Sequence, residues 1–363
     1  MSVDIWPRIA PDALKTAVET TEKRELDWLV EELREILTNL KHGLEDCYAL
    51  LAPIDPGSTL VLSTPRNEIV KGHITRVGTR IVKGTIHLRM RTLPYQTLTI
   101  NPEHPIHLTP LTNLHSILTH SIDLLKLTLS YSYPTATATT PLPSDLPPPP
   151  NFLSAQLRLL SQSLSEALAL LKGPPLTTAD TTWTTRSVAP SHFSPPLPPI
   201  VGGTASGFSS GSSPSLSFYL TVQDSLLVLW LRAIEPADAP VNFGTKLALA
   251  IGTARRLEHD EIDKVFGYCC GGEDHAPPAA GGPGPGGGGG TGPAGSPGAQ
   301  PIPLSGTREK KPVDVFVREK VRVESADPSL LSLSAKLSAL SHTLALARRN
   351  FAAVLGEELE GED

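Results

Sequence analysis

Few residue groupings in this chain have the types and spacing that chemistry requires. Gly207, Phe208, Ser209, Ser210 and Gly211 fit the GxSxG pattern, in which a serine on a sharp strand-to-helix turn becomes a nucleophile. Neither a strand nor a helix flanks it here. It sits in a Ser/Gly/Pro stretch, so the match reads as coincidence, and a serine hydrolase using Ser209 is the weaker alternative. His104, His107, His115 and His120 crowd together, but His115 and His120 are five apart on a helical pattern and point to different sides, so no ligand set is expected. Glu258, Asp260, Glu261 and Asp263 lack the glycine and oxygen spacing of a calcium loop and read as the solvent-facing surface of an exposed amphipathic helix. Cys47 lies on an apolar stripe, and Cys269 and Cys270 are adjacent, which suits neither an ordinary disulfide nor zinc. No GxxxxGK[ST] or GxGxxG occurs between a strand and a helix. The expectation is therefore no catalytic residue, no cofactor, no metal and no enzyme activity.

Composition bounds the rest. The 363 residues include 29 Gly and 36 Pro, concentrated in stretches that cannot pack. A net charge of −6 and a pI near 6.0 argue against a general nucleic-acid binder. Three cysteines, no Asn-x-Ser/Thr acceptor and no apolar core behind a basic start predict a protein of the reducing cytosol, with any membrane association peripheral.

Apolar spacing supplies the architecture. Four stretches place leucines at alternating steps of three and four: Leu26 to Leu51, Leu111 to Leu129, Leu153 to Leu171 and Leu330 to Val354. Each draws a continuous stripe along a helix, and a stripe must be covered by another helix. Thr109 with Pro110, Asn151, and Asp327 with Pro328 are the start signals, and Gly173 and Gly356 the stops. Between the helices, Val70, Gly72 and Ile74, then Val82, Gly84, Ile86, Leu88 and Met90, alternate around a turn at Val77, Gly78 and Thr79. Residues 95–100 add a possible third strand. Leu216, Phe218, Leu220 and Val222 predict half of a second hairpin turning at Gln223, Asp224 and Ser225, and the valines from Val313 to Val323 predict an amphipathic strand.

The predicted class is α+β, in the order α, β, α, α, β, β, α. An antiparallel bundle of four long helices, including both chain ends, takes residues 22–52, 108–172 and 328–356. A β domain takes 58–100, 215–266 and 312–325, gathered most simply into one antiparallel sheet. Residues 1–21 read as a flexible leader, 132–150, 187–214 and 271–306 as low-complexity loops, and 357–363 as an acidic tail. Leu330, Leu337 and Leu344 recur every seven residues, but Pro328 forbids a helix continuous with the basic segment before it, so a basic zipper is excluded. An intramolecular seam is favoured, and a homodimeric coiled-coil adaptor is the alternative.

Six ordered segments carry a resemblance: ELDWLVEEL (25–33), PGSTLVLS (56–63), VKGHITRVGTRIVKG (70–84), NFLSAQLRLL (151–160), FGTKLALAIGTARRLEHDEIDKVF (243–266) and REKVRVESADPSLLSLSAKLSALSHTLALARR (318–349). Together they resemble the fungal branch of the Rogdi family, the small subunit of the RAVE complex. The insert at 271–306 departs from the family pattern. The resemblance implies a non-enzymatic protein that works with a large β-propeller scaffold and a Skp subunit shared with ubiquitin ligases. It implies engagement of the peripheral sector of the V-ATPase and its rejoining with the membrane sector. The implied location is cytoplasmic, with peripheral recruitment to vacuolar and endosomal membranes.

Overall fold

The structure is a computed structural model that describes residues 9–132, 150–175, 180–198, 214–238, 259–262, 264–269 and 312–356. The GxSxG segment, Glu258, Asp263, the strand-like Leu247 to Ile251 stretch and the expected loops at 133–149 and 271–306 lie outside these residues.

The four striped helices form as their spacing dictates: α1 Pro11–Leu50, α2 Thr109–Ser132, α3 Pro150–Lys172 and the C-terminal helix Pro328–Leu355. A single-turn helix, α4 Trp183–Arg186, lies between, so the C-terminal helix is α5. Neighbours pack in a ring, α1 on α2 and α5, α3 on α2 and α5. Leu37, Leu44, Leu114, Leu118, Leu157, Leu160, Leu333 and Leu337 are fully buried, which places both chain ends in one bundle. Asp327 caps α5 by accepting from the Ser329 N–H at 2.9 Å, and Gly356 ends it in the left-handed region at φ 65°. Leu340 of α5 packs directly over Gly43 of α1, where a Cβ would come within 2.6 Å of it.

Several boundaries differ from expectation. α1 begins at Pro11, so residues 11–21 are helical where a loose leader was expected; Pro at the first position and a run of good helix formers extend the helix beyond its apolar stripe. α3 begins at Pro150, which puts Asn151 inside the helix. The second apolar side expected of α2 is only half covered: Ile117 and Leu124 are partly buried, but Leu127 is 64 % exposed. Residues 187–198 are ordered, with Phe193 buried and bridged to Ile100.

The strands form two antiparallel sheets, not one. The first has order β1 (Ser58–Ser63), β2 (Val70–Val77), β3 (Arg80–Leu88), β4 (Gln96–Thr99), with β5 (Ile106–His107) pairing the start of β3. The second has order β6 (Ser215–Gln223), β7 (Leu226–Pro236), β9 (Val313–Ala326), β8 (Val265–Tyr268). Separation follows from the chain path, because α2 and α3 intervene between the hairpins and sit against β6, while β1 meets β9. A bulge between Thr75 and Arg76 shifts the first hairpin's register, so Ile81 is buried and Val82 only partly so. The second hairpin turns at Asp224 and Ser225, both at positive φ as a tight two-residue turn requires. β6 is buried on both faces from Ser217 to Gln223, not alternately, because the bundle covers one side and Trp183 of α4 the other.

One contiguous core runs from the helices through both sheets, and a smaller cluster of Trp183, Tyr219, Ile234, Tyr268, Val315 and Val317 lies on the far face of the second sheet. By length and composition α5 would pass for a membrane span, with a mean hydropathy of 1.3 over its most apolar window. Leu330, Leu333, Leu337, Leu344 and Phe351 are nevertheless buried where it packs on α1 and α3.

Candidate interaction surfaces

Charged side chains form a paired interior, and two outer surfaces carry an excess of one sign. Inside, Arg76 at the end of β2 is 3 % exposed and donates from Nε to Asp327 Oδ2 at 2.5 Å, while its Nη1 donates to the Gly78 carbonyl. The same carboxylate caps α5, so a single aspartate ties the first sheet to the bundle. Arg232 of β7 donates from Nε and Nη2 to Glu261 at 2.7 and 2.9 Å, and Lys320 of β9 reaches Glu261 at 2.7 Å. The Arg232 guanidinium lies 4.5 Å from the Trp183 ring and 5.2 Å from Trp230. Burial pushes the Glu261 carboxyl up, but hydrogen bonds and charge from Arg232, with Lys320 adding to them, hold it below its ordinary 4.5.

The acidic run thus departs from the helix surface expected of it. Residues 259–262 form a turn, Val265 and Phe266 lie in β8, and Glu261 is buried as the counter-ion of two cations. Asp260 stays exposed and pairs with Lys320 at 2.8 Å, which lowers its pKa through that hydrogen bond. Glu261 meets Arg232 from 29 residues away and Asp260 meets Lys320 from 60, so no local pattern could reveal these partners.

The histidines do not converge. His104 and His107 are exposed, His115 is tilted against Tyr48 at 4.8 Å and His120 sits 3.4 Å from Ser116. Among the described residues no group of three or more His, Cys, Asp or Glu is placed to hold a metal. Cys47 is buried between α1 and its neighbours, which pushes its thiol up to about 11. The leucines repeating at seven, Leu330, Leu337 and Leu344, are all fully buried within this one chain, so the seam a coiled-coil dimer would use is occupied.

Two surfaces face outward. The first is the free end of α1. Every residue from 11 to 25 is exposed and Leu26 is the first side chain to pack on the core, so the helix runs on for roughly 22 Å beyond the bundle. Residues 11–35 carry eight carboxylates against four cations. Trp28, 64 % exposed, shares a face with Glu31, Glu32 and Glu35, lining a shallow groove of about 620 Å³. The second is the outer face of the first sheet, where Lys71, His73, Lys83 and His87 alternate with the buried core residues of β2 and β3. Sequence reading missed both, because it followed the apolar stripes inward; the carboxylates repeating from Glu19 to Glu35 were the visible signal for the first.

No curated protein matches the chain. The model of the family described as Rogdi leucine zipper containing protein matches residues 25–352, which span the bundle, both sheets and the α1 face bearing Trp28. The chain belongs to the Rogdi leucine zipper family.

Proposed function

We propose that this protein is a non-enzymatic subunit of a RAVE-like complex that promotes reassembly of the V-ATPase peripheral sector with its membrane sector, and so supports vacuolar and endosomal acidification. The observation that carries the reading is the family match over residues 25–352. The distribution of surface agrees with it. The leucine stripes and buried ion pairs serve internal packing, and what remains exposed is extended and charged, as suits contacts with other proteins.

In this reading a large β-propeller scaffold is the principal partner, a Skp subunit accompanies it, and the protein stays in the cytoplasm until recruited to vacuolar and endosomal membranes. The projecting end of α1 is the surface offered to the scaffold, because an exposed tryptophan ringed by glutamates supplies both an anchor and charge selectivity. Affinity purification of the tagged chain from its native cells tests this. Stoichiometric recovery of a propeller scaffold together with V-ATPase peripheral subunits is expected, and the combined Trp28→Ala, Glu31→Lys, Glu35→Lys variant should lose them while still folding. Preparations that contain neither component under conditions preserving endogenous complexes would refute the proposal.

A further inference from the structure

We propose that the outer face of the first sheet is a docking surface for a membrane rich in anionic phospholipids. Register places Ser63, Lys71, His87 and Thr97 in one row across β1 to β4, and Val61, His73, Thr85 and Thr99 in the next. Lys83 continues the pattern, and Arg89 and Arg91 stand exposed just past the end of β3. Between residues 56 and 102 the sequence holds seven lysines and arginines against a single carboxylate, Glu68, and among the described residues only Arg76, buried against Asp327, and Arg66, beside Glu68, are paired. Lys71, Lys83, Arg89 and Arg91 have no carboxylate partner among the described residues. Some surface cations elsewhere are paired, as Arg318 is with Glu235 and Lys336 with Asp46. This face is left positive.

The shape of the face selects the occupant. A pleated sheet offers a broad, nearly flat array, not a helix or ribbon that could enter a nucleic-acid groove, and it lacks the series of exposed aromatics on which unpaired bases stack. Its one exposed aromatic is Tyr95, which reaches His87 Nδ1 at 3.4 Å and lies under the Arg89 guanidinium at 5.9 Å. A tyrosine among cations beside an exposed Val61 suits the headgroup layer, where a ring can sit apolar side down and its hydroxyl stays wet. Lys71 and Lys83, held on strands, point toward the bilayer together, so their attractions add without ordering a flexible segment.

The proposal does not depend on assembly with a scaffold, and its test uses the purified full chain alone. Flotation is compared between vesicles of phosphatidylcholine and vesicles with about a third of the lipid replaced by phosphatidylserine. Binding is expected only to the second, and each Lys or Arg removed should weaken it severalfold, so Lys71→Gln, Lys83→Gln and Arg89→Gln together should lower partitioning on the order of 100-fold. Tyr95→Ser should weaken it with no change in charge. The matched control Lys41→Gln and Lys126→Gln, on the helices, should float as wild type. Equal flotation on both vesicles, an undiminished triple variant, or displacement from vesicles by an equal phosphate concentration of duplex DNA would overturn the proposal. Because all three lysine and arginine sites are exposed and have no carboxylate partner, nearly unchanged thermal melting of the triple variant is expected and separates lost binding from lost folding.

Discussion

Replacing Asp327 by Ala removes two supports at once. The helix cap contributes about 1 kcal/mol, since the Ser329 N–H loses its acceptor. The larger loss is electrostatic. Arg76 is 3 % exposed and Asp327 fully buried, so truncating the carboxylate leaves a guanidinium out of water with only the Gly78 carbonyl as partner, at a cost of about 3 to 5 kcal/mol. Together the change should destabilise the protein by about 4 to 6 kcal/mol, a large share of an ordinary folding free energy. The expected fall in melting temperature is roughly 10 to 20 °C. A cycle in urea, followed by circular dichroism, separates the two parts. Asp327→Ser keeps a capping oxygen and should cost only the electrostatic share. Arg76→Met with Asp327→Ser removes both charges and should recover most of the loss, because a buried pair is often replaceable by apolar atoms although neither partner alone is dispensable. If Asp327→Ala costs no more than the cap, or the double variant is as unstable as the two single changes added, the assignment of this pair as the joint between sheet and bundle is refuted.

Other perturbations probe separate parts of the molecule. Glu261→Gln should cost about 3 kcal/mol at pH 7. Because the folded-state pKa of Glu261 lies below its ordinary 4.5, its contribution is fully present above that pH and is lost as pH falls through the folded value. Melting curves of wild type and variant should therefore converge below pH 4.5; a gap constant from pH 7 to pH 3 would contradict the ion-pair account. With Cys269 and Cys270 replaced by Ser, Cys47 should react with a disulfide reagent at pH 8 only as fast as the protein unfolds, since a thiol raised to about 11 is ionised to about a thousandth and is buried as well. Rapid labelling of the native state would show the α1 seam to be open. Leu337→Asp places an unpaired charge in the bundle at a cost of several kcal/mol, whereas Leu127→Asp, at a side chain 64 % exposed, should shift stability by less than about 0.5 kcal/mol. Equal effects in urea titrations would undo the assignment of the two faces.

Helices were readable because their signal is repeated. The stripe of α1 from Leu33 to Leu51, that of α3 from Leu153 to Leu171 and the Asp327 to Gly356 span of α5 each contain several independent residues that agree, and tertiary packing uses the same face the spacing predicts. Where propensity alone decides, the stripe misleads: residues 11–21 carry no core-facing set yet are helical. Sheet membership was harder, because a strand's partner is not encoded locally. The alternating residues of β6 and β9 gave the strands, but nothing in them says that β8 would join on β9, or that Trp183 would cover the polar side of β6. Glu261 was misread for the same reason. A carboxylate in a charged run looks solvated until Arg232 and Lys320 arrive from distant strands to bury it.

Net charge is the quantity that sequence reading used to narrow the range of partners, and the fold shows why it is a poor guide here. At physiological ionic strength a charge is screened within about 8 Å, so a partner meets the local field and not the sum over the chain. Among the charges that sum to −6 are a projecting helix rich in carboxylates, a sheet face with cations that lack carboxylate partners and an interior where Arg76, Arg232 and Lys320 are neutralised by contact. The last group contributes nothing to outside recognition, whatever its weight in the count. Among the described residues, removing it leaves surfaces of opposite sign on separate elements, one a rod with an exposed tryptophan and the other a flat array. If both proposals hold, α1 would meet a basic protein surface while the first sheet rests against an acidic one, and neither contact need displace the other. An overall acidic pI is compatible with such a positive face because its lysines stand on one side of two neighbouring strands.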